Sequence, residues 1–96
     1  MDCVIPQKGV TACVRFDRQA IYVRSDSANG YFKLGQLTKV VGGDTYRCQN
    51  NNTNSAGNGT WVGCNFSWPR ACYRIKSGYG QHDWYIINDV NQLKCL

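Results

Sequence analysis

Asp17-Arg18-Gln19-Ala20-Ile21-Tyr22-Val23-Arg24-Ser25-Asp26-Ser27 is the stretch on which the fold class turns. Asp17 suits a helix N-cap, and Phe16, Ala20, Val23 and Ser27 follow at the i, i+4, i+7, i+11 spacing of one helical face. Gly30 suits the stop. This reading gives one short helix ahead of a run of antiparallel strands, an α+β pattern, and it is the principal expectation. The same residues admit an alternative. Ala20-Ile21-Tyr22-Val23-Arg24 carries enough β-branched and aromatic side chains for a strand, with Asp17-Arg18-Gln19 as a turn, and the chain is then an all-β small disulfide-rich domain.

Toward the N-terminus, two short apolar stretches flank Lys8-Gly9, with Cys3 and Cys13 at the ends, which is the pattern of a small hairpin. Toward the C-terminus, residues 49–60 hold Asn, Thr, Ser and Gly with little to bury, and read as a surface loop. Trp61 to Trp68 alternates, so Val62, Cys64, Phe66 and Trp68 share the core face while Trp61, Asn65 and Ser67 face away. Pro69 ends that strand. Another is expected over 71–76, with Tyr73 and Ile75 on one face and Cys72, Arg74 and Lys76 on the opposite one, then a turn at Ser77-Gly78-Tyr79-Gly80. A last strand over 82–87, a turn at Asn88-Asp89-Val90-Asn91 and a short closing strand complete the chain.

With 96 residues there is room for one domain, residues 1–96, whose apolar core alone is marginal. Six cysteines, Cys3, Cys13, Cys48, Cys64, Cys72 and Cys95, are even in number and include no C-x-x-C pair. With His82 the single histidine, the set reads as disulfides in a secreted protein rather than a metal site, and no cofactor or metal is expected. Fifteen pairings are open, with Cys3–Cys13 or Cys3–Cys95 the first expectations. Sequons at Asn51, Asn58 and Asn65 fit a secretory route and possible glycosylation. No leader-like segment and no run of about 18 apolar residues is present. Met1 is therefore expected to open a mature form, with no membrane span. Eleven basic residues against six acidic ones give a net charge of +5, which suits an anionic partner or simple solubility.

Three separated stretches resemble the small guanyl-specific extracellular ribonucleases of moulds, in the same order. They are Ala28-Asn29-Gly30-Tyr31 with Val41-Gly42-Gly43-Asp44-Thr45-Tyr46; Phe66-Ser67-Trp68-Pro69; and the ungapped run from Asp83-Trp84-Tyr85 to Asn91-Gln92-Leu93. The resemblance implies a twisted sheet carrying one helix. It also implies that catalytic positions have been replaced. Tyr46 matches the family's phosphate-facing tyrosine, but Cys48 stands for a histidine, Ser67 for the catalytic glutamate and Trp84 for the clamping arginine. Base, acid and phosphate clamp are lost together, so no catalytic residue is expected.

A ribonuclease-like fold without its chemistry is similar to the RNase-like effectors of powdery mildews and related plant pathogens. The resemblance implies a secreted, monomeric binding protein that engages a host protein or immune receptor, or RNA. Its expected surface is a vestigial cleft of Tyr46, Trp61, Ser67, His82 and Trp84 beside the basic Arg70, Arg74 and Lys76. Two alternatives stand next to it: an active secreted ribonuclease, and a cationic disulfide-rich toxin or antimicrobial protein acting on cell surfaces.

Overall fold

The computed structural model describes residues 2–4, 9–26, 30–51, 59–81 and 83–96, with the backbone alone at 88–91. Eight strands follow one another: β1 (Asp2–Cys3), β2 (Val10–Arg15), β3 (Ala20–Ser25), β4 (Phe32–Lys39), β5 (Thr45–Asn50), β6 (Trp61–Asn65), β7 (Cys72–Gln81) and β8 (Trp84–Cys95). They form two antiparallel four-stranded sheets, β1-β2-β3-β6 (sheet A) and β5-β4-β7-β8 (sheet B). The α+β expectation is therefore wrong, and the all-β alternative describes the protein.

The helix fails for a reason that lies in the long-range pairing. Residues 16–19 form the turn, Gln19 takes φ 50° there, and Ala20–Ser25 pairs with β2 on one side and β6 on the other. As a strand, Ile21, Val23 and Ser25 are buried while Tyr22 and Arg24 stay partly exposed. A helix would have left the apolar sides of both flanking strands without a partner. The Gln19 side chain completes the turn: its amide nitrogen donates to the Trp68 carbonyl (2.8 Å), while its side-chain oxygen accepts from the Trp68 N–H (3.3 Å).

The core lies between the sheets. Val10, Ala12, Val14, Ile21 and Val23 from sheet A meet Leu37, Cys48, Tyr73 and Ile75 from sheet B. The sheets come closest at Gly35, where an added Cβ would lie 2.8 Å from Val23 Cγ2 and 3.0 Å from Ile21 Cγ2. At one end Trp68 is ringed by Phe16, Tyr46, Phe66 and Tyr73, with centroids 5.6 to 6.2 Å away. Val62, Cys64, Phe66 and Trp68 all join this core, as their alternation implies.

The sheets are fastened at both edges. Cys48–Cys64 joins β5 to β6 across the core, and Lys94 Nζ approaches Asp2 at 4.0 Å where β8 runs beside β1. Asn50 adds a polar bridge, its Nδ2 donating to the carbonyls of Val23 and Thr60 (3.0 Å each). The other two disulfides, Cys3–Cys13 and Cys72–Cys95, each join residues directly opposite on paired strands. The alternative Cys3–Cys95 link is not made. Three disulfides on a chain of this length fit the oxidising, extracellular compartment that the cysteine count implies.

Two expected turns are absent. Ser77-Gly78-Tyr79-Gly80 continues β7, and 88–91 continues β8, with a register shift between Lys76 and Gly78 absorbing the extra residues. The chain reverses instead between Gln81 and Trp84, which are registered partners. The glycines serve close approach rather than turning. A Cβ on Gly78 would lie 2.6 Å from the Ile86 carbonyl oxygen, and one on Gly80 would strike that of Trp84. Without side chains there, β8 bends tightly over β7.

Candidate functional site: the outer face and tip of sheet B

Period-two alternation decides what each strand of sheet B presents outward. With Leu37, Cys48, Tyr73 and Ile75 inward, the outward set on β4, β5 and β7 includes Gln36, Thr38, Thr45, Arg47, Arg74 and Lys76. Register sorts these into rows: Thr45, Thr38, Arg74 and Leu93; then Arg47, Gln36, Lys76 and Asn91. No position registered beside Arg47 or Lys76 is acidic. Arg47 is held in place, its Nε and Nη2 donating to Gln36 Oε1 (3.2 and 3.0 Å) and its guanidinium lying 4.5 Å from the Tyr85 ring centroid.

Sheet A is built differently. Its cations sit beside carboxylates: Arg15 on Asp17 at 2.8 Å, and Arg24 on Asp26, which also accepts from the Thr11 hydroxyl. Arg15 and the neighbouring Arg18 hold the Asp17 carboxyl below the usual range, the Arg15 hydrogen bond acting most. Sheet A's positive charge is thus neutralised locally.

At the far end of sheet B the bent β7–β8 hairpin carries Trp84, Tyr85 and Ile86, which are 41%, 50% and 47% exposed. Trp84 rests edge-on against Tyr31 and Tyr79, at centroid distances of 5.7 and 6.2 Å. Phe32, Gln81, Asp83, Trp84 and Tyr85 line a shallow, open depression of about 490 Å³. Exposed apolar side chains gather on this sheet. Among the described residues, Val40, Val41, Trp84, Tyr85, Ile86, Leu93 and Leu96 belong to sheet B or its turns, and Trp61 alone among the large exposed hydrophobics belongs to sheet A.

The residues expected to form one cleft do not meet. Tyr46 is half-buried in the aromatic end of the core, 5.6 Å from both Phe66 and Trp68. Cys48 is fully buried in the inter-sheet disulfide. Ser67 and Arg70 are exposed on the connection between β6 and β7. Trp61 lies on the outer face of sheet A, 5.3 Å below the Arg24 guanidinium, on the opposite side of the sandwich from Arg74 and Lys76. His82 and Asn58 lie outside the described residues, whereas Asn51 and Asn65 are exposed.

Arg74 and Lys76 stay together on the outer face of sheet B, whereas Trp84 pairs with Gln81 at the far end of β7 and packs on Tyr79, on the other face. Arg47, with Tyr85 against it, joins them across Gln36, and sequence reading alone passed over these two. Only the register that sets β5 beside β4 and β8 beside β7 brings Arg47 and Tyr85 to that face. Among the described residues no group of three or more His, Cys, Asp or Glu side chains gathers as metal ligands would, and no helix is long and apolar enough to cross a membrane. The surface offers cations, aromatic rings and hydrogen-bonding groups, which are the means of binding. Comparison with family models, curated proteins and solved structures returns no match to this chain.

Proposed function

We propose that this is an extracellular cationic protein of the toxin or antimicrobial class, which acts without catalysis by docking the outer face of sheet B on anionic cell surfaces. The observation that carries this reading is the segregation of charge. Arg15 and Arg24 on sheet A are matched by Asp17 and Asp26, while Arg47 and Lys76 on sheet B are registered beside the uncharged Gln36 and Asn91. Of the exposed apolar side chains, Tyr85 and Leu93 fall on the same face and favour it for contact. The ribonuclease-like effector reading rested on an α+β scaffold that the chain does not have.

Each basic side chain held near an anionic leaflet contributes about 1 kcal/mol. Three together amount to about 3 kcal/mol, or roughly a hundredfold in partitioning. Screening shortens from about 10 Å at 0.1 M salt to about 3 Å at 1 M. The native protein is therefore expected to bind phosphatidylserine-containing vesicles at low salt, to release them at high salt, and to ignore pure phosphatidylcholine vesicles. The combined Arg47→Gln, Arg74→Gln and Lys76→Gln change should weaken this binding by about two orders of magnitude, whereas Arg15→Gln with Arg24→Gln should change it little. Equal binding to neutral vesicles, or an unaffected triple variant, would refute the proposal. Vesicle indifference joined to tight capture of a single protein or of RNA would restore the effector reading.

A further inference from the structure

Four strands form the edges of the two sheets, and they differ in what they leave open. β1 is two residues long, and β5 and β6 are tied to each other by Cys48–Cys64. The fourth, β8, is twelve residues long and ends the order β5-β4-β7-β8, with no strand beyond it among the described residues.

Two hydrogen bonds show which backbone groups this edge offers. Leu96 N–H donates to the Ala71 carbonyl (3.1 Å), and the Cys72 carbonyl accepts from Val40 N–H (3.0 Å), on the side of β7 away from β8. Successive residues of a strand turn their N–H and C=O groups to opposite edges. Gln92 and Lys94 therefore face β7, as Leu96 does, while Asn91, Leu93 and Cys95 turn their backbone groups outward. The register shift that bends β8 lies ahead of Asn91, so the alternation holds through this segment. An outward row of donors and acceptors is a template for another strand, and proteins blunt it with proline or charge. Residues 91–96 contain no proline, and their one charge, Lys94, is directed at Asp2 (4.0 Å).

We infer that residues 91–96 of β8 are a pairing edge for a second copy of this chain, the two β8 strands running antiparallel about a two-fold axis at Leu93. Self-complementarity selects this partner. With the axis at Leu93, that residue exchanges both backbone bonds with the partner's Leu93, and Asn91 and Cys95 exchange theirs with the partner's Cys95 and Asn91. Leu93, 52% exposed, then covers its own equally exposed counterpart. Lys94 falls opposite the partner's Gln92 and not opposite another lysine. Arg74, registered beside Leu93, stands three strand spacings from the partner's Arg74, about 14 Å, which exceeds the roughly 8 Å screening length at physiological salt. The segment spans about 20 Å of strand and buries less than the ~1,200 Å² of a stable complex, so the pairing is reversible. It sets the cationic faces of both copies on one side of a continuous sheet. Pairing goes beyond docking on anionic surfaces and does not depend on it. Salt weakens that docking but relieves the repulsion between two chains of +5 each, so the two properties respond to salt with opposite signs.

The test is sedimentation velocity of the intact, oxidised protein from about 10 µM to about 1 mM. The sedimentation coefficient should rise with concentration toward that of a dimer, and more steeply when salt is raised. Leu93→Lys sets like charges directly opposite each other at the axis and should weaken association about tenfold or more. Trp84→Lys, at the other end of β8, should associate as the native protein does. Leu93→Cys should give a covalent dimer through residue 93 on mild oxidation, and Gln92→Cys should give far less, which reads the register even if Leu93→Lys fails to fold. Pairing at this edge is ruled out if the native protein stays monomeric at about 1 mM, if folded Leu93→Lys associates unchanged, if Trp84→Lys loses association as fully, or if Leu93→Cys and Gln92→Cys cross-link equally.

Discussion

Gly35 sits in the centre of β4 with its missing side chain directed at sheet A, so the distance between the sheets is set by an absence. An alanine there would place a methyl carbon 2.8 Å from Val23 Cγ2, 3.0 Å from Ile21 Cγ2 and 3.3 Å from Ala12 Cβ. Overpacking of that kind costs about 1–3 kcal/mol, and Gly35→Ala should lower the urea midpoint accordingly without changing the slope of the transition. Two residues earlier on the same side of β4, Lys33 is fully buried, its ammonium donating to the Tyr31 carbonyl at 2.6 Å. Burial pulls its pKa below the usual 10.5, with Asp26 partly opposing the shift. The unfolded chain therefore holds the proton more tightly than the folded one just below that value, and stability contributed at this site rises as pH climbs toward 10.5. Urea unfolding from about pH 8 to about pH 10 should show that rise in the native protein and a flatter profile in Lys33→Met. A buried lysine left no mark in the sequence, because nothing in Phe32-Lys33-Leu34 tells which of the three faces the other sheet.

Strand β6 and its continuation were legible because Val62, Cys64, Phe66 and Trp68 alternate strictly with Trp61, Asn65 and Ser67, and only one face of that segment suits burial. Strand β3 was not, because a segment this short satisfies the helical spacing of Phe16, Ala20, Val23 and Ser27 as well as the strand spacing of Ile21, Val23 and Ser25. The choice is made by β2 and β6, which offer backbone partners on both sides. The glycines of β7 misled in another way. Gly78 and Gly80 read as turn punctuation, yet they stand within a ten-residue strand and clear room for the β8 backbone. The pairing of Cys3 with Cys13 was accessible from the hairpin between them. That of Cys48 with Cys64 was not, since it depends on which edges of the two sheets are stacked. Removing it should be costly. Closing a loop of about 16 residues stabilises a domain by roughly 3 kcal/mol, so Cys48→Ser with Cys64→Ser should lose about that amount in equilibrium unfolding.

At the scale of the whole molecule, composition announced a stapled, basic, single-domain chain but could not say where the charge lies. A net charge of +5 is compatible with an even spread, whereas the fold gives one sheet carboxylate-matched cations and the other a mixed cationic and apolar exterior. The candidate site was legible only in part for the same reason. Arg74 and Lys76 could be picked out as residue types, but Arg47 and Tyr85 belong with them solely through strand order. The order of the disulfides reaches further than stability. Each cysteine is bonded to its neighbour in the chain, so the covalent rings enclose 3–13, 48–64 and 72–95 and never overlap. A protease that cuts at Lys76, inside a ring, leaves one covalent body. One that cuts at the exposed Arg18, between rings, makes two pieces held only by sheet pairing and core. Survival among extracellular proteases is therefore decided at exposed sites between rings, the β2–β3 turn and the β6–β7 connection with Arg70 among them; at the first, the two Gln19–Trp68 hydrogen bonds hold the backbone against the conformation that a protease cleft requires.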